Sequence, residues 1–133
     1  MSLIKNSNRI RQTIDFSGVQ NKKMHPSDID AVLEFDEQIL ILMEIKYKGR
    51  RTSISQKLML QRIADSWHVG VKKAIVLKVE HSFRVDNKDI PLNKCYVTSF
   101  YYNGEWKNLK KPQMFVPYIN RLGKLFDNEK CRF

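Results

Sequence analysis

Residues 39–49 read ILILMEIKYKG, an apolar run dense enough for the middle of a sheet. Yet the run carries Glu44 and, two positions on, Lys46. Charged side chains are almost never fully buried unless paired, and residues two apart on a strand point to the same face. A carboxylate and an ammonium on one face of a core strand mark either a solvated strand end or a site. The flanking residues decide between the two.

Upstream, HPSD at 25–28 is a turn signal, because proline fixes its own φ and biases the residue before it toward extended backbone. IDAVLEF at 29–35 is apolar and β-branched enough for a strand. DEQ at 36–38 supplies a turn, and ILILMEIKY at 39–47 returns as the second strand of a hairpin. With the turn centred on Glu37, Asp30 falls directly opposite Glu44, and Asp28 opposite Lys46. Directly opposed Cβ atoms lie about 4.5–5.5 Å apart, and like charges so placed are destabilising. Two carboxylates held together on an apolar surface therefore call for a cation. Mg²⁺ favours such hard oxygen ligands, usually one or two carboxylates with substrate phosphates and waters. A register slipped by one residue would send the two acids to opposite faces.

Downstream, Gly49 ends the strand and RRTSIS forms a basic loop with an N-cap at Thr52 or Ser53. ISQKLMLQRIADSWHV at 54–69 places Ile54, Leu58, Met59, Ile63 and Trp67 at helical intervals, which predicts an amphipathic helix closed by Gly70. KKAIVLKVEH at 72–81 is another apolar strand, so strand, helix and strand in succession imply a right-handed crossover and a parallel pair. NKCYVTSFYYNGEWKNL at 93–109 reads as two strands around the Asn103-Gly104 turn. QMFVPYINRLGKLFDNE at 113–129 is a final helix with Pro117 early in it. A short helix in NSNRIRQTIDF at 6–16 would align Ile10 with Ile14. No repeat or linker divides the chain, so the expectation is a single domain over residues 1–133 of α/β class, with a mixed central sheet flanked by helices.

The 133 residues carry 24 Lys and Arg against 14 Asp and Glu, a formal charge of +10. Such an excess attracts polyanions, of which nucleic acid is the commonest in cells. The basic residues are spread through KYKGRR, VKKA, WKNLKKP and RLGK rather than gathered on one amphipathic helix beside an apolar face, which argues against a membrane partner. No apolar stretch is long enough to span a bilayer, and MSLIKNSNRI lacks the apolar region of a secretory signal. An intracellular protein in a reducing compartment, cytoplasmic or nucleoid-associated, is expected. Cys95 and Cys131 have neither CxxC nor Cys/His spacing, so they read as plain thiols, with no zinc site and no disulfide framework.

PSDIDAVLEF followed by LMEIKYKG resembles the PD-(D/E)XK nuclease superfamily, the restriction-endonuclease-like fold. In that family an acid at the start of one strand and an acid-x-Lys on the next form the active site. The resemblance assigns Asp30 as the first acid, Glu44 as the second and Lys46 as the lysine. It matches Gln56, in SQKLMLQRI, to a glutamine at the start of the following helix, and VLKVEH to the strand after it. The family core of strand, strand, helix, strand then covers about residues 24–81, with the hairpin and helix at about 93–128 outside it. Two departures stand out. The PD is split as PSDID, so Asp28 competes with Asp30, which is preferred because the apolar strand starts around it. The acid that many members carry on a preceding helix has only Asp15 as a counterpart.

The resemblance implies a DNA endonuclease, resolvase-like in selecting Holliday-junction or other DNA structure. Asp30 and Glu44 would hold Mg²⁺, or Mn²⁺ in its place, and members of this type often act as homodimers. Lys46 would position the nucleophile or stabilise the transition state, and Gln56 would orient the lysine or the water. Lys48, Arg50 and Arg51 follow the site and are expected on phosphates, where they position a duplex without reading bases. His81 ends a strand near the site, where a surface or hydrogen-bonded role is the commoner one. Tyr96, Phe100, Tyr101, Tyr102 and Trp106 are expected to pack the core rather than stack on bases. The rival reading is a non-catalytic nucleic-acid-binding protein on the same fold.

Overall fold

The computed structural model describes residues 14–22, 26–84 and 89–133. Its hairpin follows from the sequence pattern. β1 (Ala31–Phe35) and β2 (Ile39–Tyr47) pair antiparallel, with Ala31 opposite Met43 and Phe35 opposite Ile39, the register of a turn centred on Glu37. The turn is tight: Gln38 N–H donates to the Phe35 carbonyl at 2.8 Å, and Asp36 and Glu37 both take positive φ. Glu34 steadies it by accepting the Glu37 N–H at 2.8 Å.

After Gly49, at φ +80°, the chain enters α1 (Ile54–Trp67). Ser53 caps that helix, its hydroxyl accepting the Gln56 N–H at 3.2 Å. The buried stripe differs from the expected one. Leu60 and Ala64 are the fully buried residues of α1, flanked by half-buried Met59, Ile63 and Trp67, whereas Ile54 is 79% exposed and Leu58 40%. Leu58 stands about 200° around the helix from Leu60, so it and Ile54 fall on the side turned away from the sheet. The helix ends at His68, two residues before Gly70, because His68 caps it and then accepts the Ala74 N–H on Nδ1 at 3.1 Å.

β3 (Lys73–His81) returns parallel to β2. A short 3₁₀ turn at Leu92–Lys94 leads into β4 (Tyr96–Tyr102) and β5 (Glu105–Met114), joined at Asn103-Gly104, where both residues adopt the positive φ such a hairpin requires. The result is a five-stranded mixed sheet in the order β1-β2-β3-β4-β5, antiparallel except for β2–β3. α2 (Phe115–Leu125) closes the fold. Pro117 fits its first turn, where a backbone N–H would have no helical partner in any case.

The alternation of each strand sorts the core into two layers. Leu40, Leu42, Ala74, Val76 and Tyr101 face α1, with Leu60 and Ala64 packed on them. Ile39, Ile41, Met43, Ile75, Leu77 and Val79 face α2, against Phe115, Ile119 and Leu122. In β4 the alternation breaks once. Lys78 pairs with Ser99 but Val79 pairs with Val97, so Thr98 is an extra residue, and Val97 joins the α2 side while Ser99 and Tyr101 stay on the α1 side. The expected core role of the aromatic residues holds at Tyr101, 4% exposed, with Phe100 and Tyr102 packed on the α2 layer and Trp106 on the α1 layer.

The C-terminal tail folds back over α2. A Cβ on Gly123 would stand 2.1 Å from the Cys131 carbonyl oxygen, so only glycine permits this crossing. Lys130 pairs with Asp36, and Asn128 donates to the Gln38 side chain at 3.0 Å, which ties the tail to the β1–β2 turn. Cys95 and Cys131 are free and buried thiols. No helix among the described residues is long and apolar enough to cross a membrane. The helix expected around Ile10 lies mostly outside the described residues, and Ile14 to Phe16 are not helical.

Candidate active site

The site sits where β1 begins and the apolar part of β2 ends. One rung beyond Ala31 and Met43 stand Asp30 and Glu44. Asp30 Oδ2 accepts the Ile45 N–H at 2.7 Å, replacing the ladder bond that β1 no longer supplies. That bond uses one carboxylate oxygen and fixes Asp30 beside Glu44. For Asp28, the other candidate, it is the backbone that is engaged: its carbonyl accepts the Gln56 side-chain amide at 3.3 Å. Gln56 therefore pins the segment carrying Asp30 to the first turn of α1. The expectation is that Gln56 orients the lysine or the water; here its amide nitrogen meets the Asp28 carbonyl.

Glu44 is 2% exposed. Lys46 Nζ lies 2.9 Å from Glu44 Oε1, with 30% of the lysine side chain exposed. The contact is close enough for an ion pair but poorly aligned as a hydrogen bond. Both Glu44 oxygens are thus buried without a hydrogen-bond partner among the described residues, a costly state for a charged group. Burial pushes the Glu44 carboxyl above the ordinary glutamate range; the Lys46 ammonium opposes that, and the Asp30 carboxylate adds to it.

Sequence reasoning missed a row of polar residues beside Glu44. Along one rung of the sheet, Glu44 pairs with Lys78, Lys78 with Ser99, and Ser99 with Asn108, all on the α1 side. They floor a cavity of about 250 Å³, whose walls include Arg51, Lys57 and Trp106. Lys57 Nζ lies 4.6 Å from the centre of the Trp106 ring, and Trp106 Nε1 donates to Gln61 Oε1 at 2.9 Å. Lys78 was detectable by the same signal as Glu44, a charge inside an apolar strand. Ser99 and Asn108 carried no such mark.

Comparison with protein-family models, with curated proteins and with solved structures returns no match. The site must speak through its own chemistry.

The basic loop after β2 is held in place at three points. Lys48 N–H donates to the His81 carbonyl at 2.9 Å, Arg50 N–H to the Tyr47 carbonyl at 3.0 Å, and Gly49 N–H to Glu80 Oε1 at 2.8 Å. Lys48, Arg50 and Arg51 are exposed, and Arg51 reaches the cavity wall. Asp15 is spent on its own turn, accepting both the N–H and the hydroxyl of Ser17.

The donor set suits a hard divalent cation. Two buried oxygens of Glu44 lack hydrogen bonds, and a second carboxylate stands alongside. No group of three or more His, Cys, Asp or Glu is gathered for a metal among the described residues, but Mg²⁺ is commonly held by one or two carboxylates, with waters and substrate phosphates completing its shell.

Proposed function

We propose that this chain is a Mg²⁺-dependent endonuclease of restriction-endonuclease-like type that hydrolyses phosphodiester bonds in DNA. The observation that carries the reading is the convergence of Asp30, Glu44 and Lys46, with both Glu44 oxygens buried and lacking hydrogen-bond partners. Glu44 Oε1 has the Lys46 ammonium at 2.9 Å, while Oε2 is buried with no hydrogen-bond partner among the described residues and is open to a cation.

Asp30 and Glu44 would hold the cation, Mg²⁺ or Mn²⁺. Bound there, the cation supplies Lewis-acid polarisation of the phosphoryl group and lowers the pKa of a coordinated water. Lys46, on the same face as Glu44, places a positive charge where negative charge accumulates on the phosphorus oxygens, and stabilises it electrostatically. Gln56 acts as a positioning residue through the Asp28 backbone. Arg51, Lys57 and Lys78 offset the charge of phosphates entering the cavity side. A site at the sheet margin suits selection of DNA structure over a long base sequence, a resolvase-like role, and a homodimer would address two strands with two such sites.

Incubation with linear duplex, single-stranded and four-way-junction DNA, in Mg²⁺ and in chelator, tests this directly. Metal-dependent cleavage is expected, and it should be lost in folded Glu44→Ala and Lys46→Ala variants. Binding of DNA without cleavage of any of the three substrates would leave the non-catalytic reading in its place.

A further inference from the structure

On the opposite face of the β2 end from Glu44 lies a second cavity, of about 540 Å³, within the roughly 300–1,000 Å³ typical of ligand sites. Among the described residues its lining includes Lys46, Tyr47, Arg50, His81, Phe83 and Arg84, and no acidic side chain. Lys46 borders both places: its ammonium touches Glu44, and the residue also lines this cavity.

The aromatic rings are arrayed as a platform. His81 stacks on Phe83 at 6.0 Å between centroids, and Tyr47 meets His81 edge-on at 5.7 Å. The Phe83 N–H donates to His81 Nδ1 at 3.2 Å, which fixes the imidazole and ring together. Arg84 Nε donates to the Tyr47 hydroxyl at 2.9 Å, and the Arg50 guanidinium lies 6.0 Å from the Tyr47 ring centre. His81 is buried, but Phe83 remains 40% exposed. A phenylalanine held open to water, in a cavity whose tyrosine carries two arginines, is poor core packing. It matches the chemistry of single-strand binding, where aromatic rings stack on bases and cations follow the backbone.

We infer that the Tyr47–His81–Phe83 platform, with Arg50 and Arg84, binds unpaired DNA nucleotides beside the candidate active site, so that the preferred substrate is DNA with a splayed or single-stranded segment. The inference rests on the nuclease reading for its place in a reaction, but its binding chemistry stands apart from catalysis. Stacking tolerates any base, since every base has a π-face, while the arginines neutralise adjoining phosphates. A fully paired duplex offers no free base to Phe83.

The test is fluorescence anisotropy with a labelled oligothymidylate and a blunt hairpin duplex, both in chelator, so that cleavage plays no part. The single strand should bind more tightly. Phe83→Ala should weaken single-strand binding by roughly 5- to 150-fold, the range for one lost stacking partner, and leave duplex binding little changed. Phe83→Tyr should retain it. Should Phe83→Ala melt below the assay temperature, Phe83→Leu keeps the bulk, removes the ring and should show the same selective loss. Arg84→Ala should lower the slope of log affinity against log salt by about 0.7, the value for one single-strand phosphate contact. Equal loss on single strand and duplex, or unchanged single-strand binding without the ring, overturns the inference. Selective single-strand binding in a protein that never cleaves would instead sink the nuclease reading and leave this one standing.

Discussion

Replacing Glu44 by glutamine should make the metal-free protein more stable while removing its response to divalent ions. At neutral pH the wild-type carboxylate is buried beside Asp30 with neither oxygen well hydrogen-bonded. An unsatisfied buried polar group costs about 1–3 kcal/mol, more if charged. Glutamine removes the charge, relieves the repulsion, and offers an N–H₂ that can donate to Asp30. Against this stands the lost ion pair with Lys46, a partly exposed lysine that can turn to water, for a loss of about 1 kcal/mol or less. The net effect is about 1–2 kcal/mol in favour of Glu44→Gln, or roughly 4–8 °C in Tm for a chain of this size. The advantage closes in acid. Because burial raises the native carboxyl, the folded protein keeps a proton that the unfolded chain has released. Wild-type stability therefore falls as pH rises from the ordinary glutamate value of 4.5 through the raised native value. The advantage of the variant should open across that window and then level off. Mg²⁺ at about a hundred times its Kd should restore about 2.7 kcal/mol to the wild type alone. Thermal melts of both proteins from about pH 4 to about pH 8, in chelator and in Mg²⁺, read all of this. A variant that melts below wild type at neutral pH in chelator, or that Mg²⁺ stabilises equally, refutes the reasoning.

Asp30→Asn should keep an acceptor for the Ile45 N–H and lose only the metal response, whereas Asp30→Ala should also cost about 1 kcal/mol from the broken hydrogen bond; melts in chelator and in Mg²⁺ separate the two. Lys46→Ala should lower cleavage by about 10²–10³-fold, the usual effect of removing one transition-state donor, and should raise the Glu44 carboxyl further, visible as a steeper loss of stability with rising pH. Gly123→Ala should destabilise by about 1–3 kcal/mol, since the new methyl meets the Cys131 carbonyl; a denaturant midpoint unchanged from wild type would show that the tail can lift away freely.

The hairpin and the crossover were legible because their signals are local. A short polar turn between two apolar runs leaves few registers, and the one centred on Glu37 set Asp30 beside Glu44 before any long-range contact was known. The face of α1 was misjudged for a physical reason: spacing in 54–67 admits overlapping apolar stripes, and packing chose the one through Met59, Leu60, Ile63, Ala64 and Trp67. Ile54 and Leu58 lie on the far side of the helix from Leu60 and Ala64. The rung from Glu44 to Asn108 was illegible because it depends on how β3, β4 and β5 align, and neither Ser99 nor Asn108 departs from what a strand commonly carries. The cluster at Tyr47, His81 and Phe83 escaped for a related reason, as it joins the ends of two strands to a loop.

The extra residue at Thr98 sets a rule for how the length of this chain can vary. Removing it would swing Val97 and Cys95 out of the greasy layer beneath α2 and turn their main chain over, with no local repair available in a strand flanked on both sides. Insertions of the same size at Asn103-Gly104 would merely enlarge an exposed loop. Two positions six residues apart on one hairpin should thus differ sharply in their tolerance of gaps, and a deep library of indels would draw that boundary.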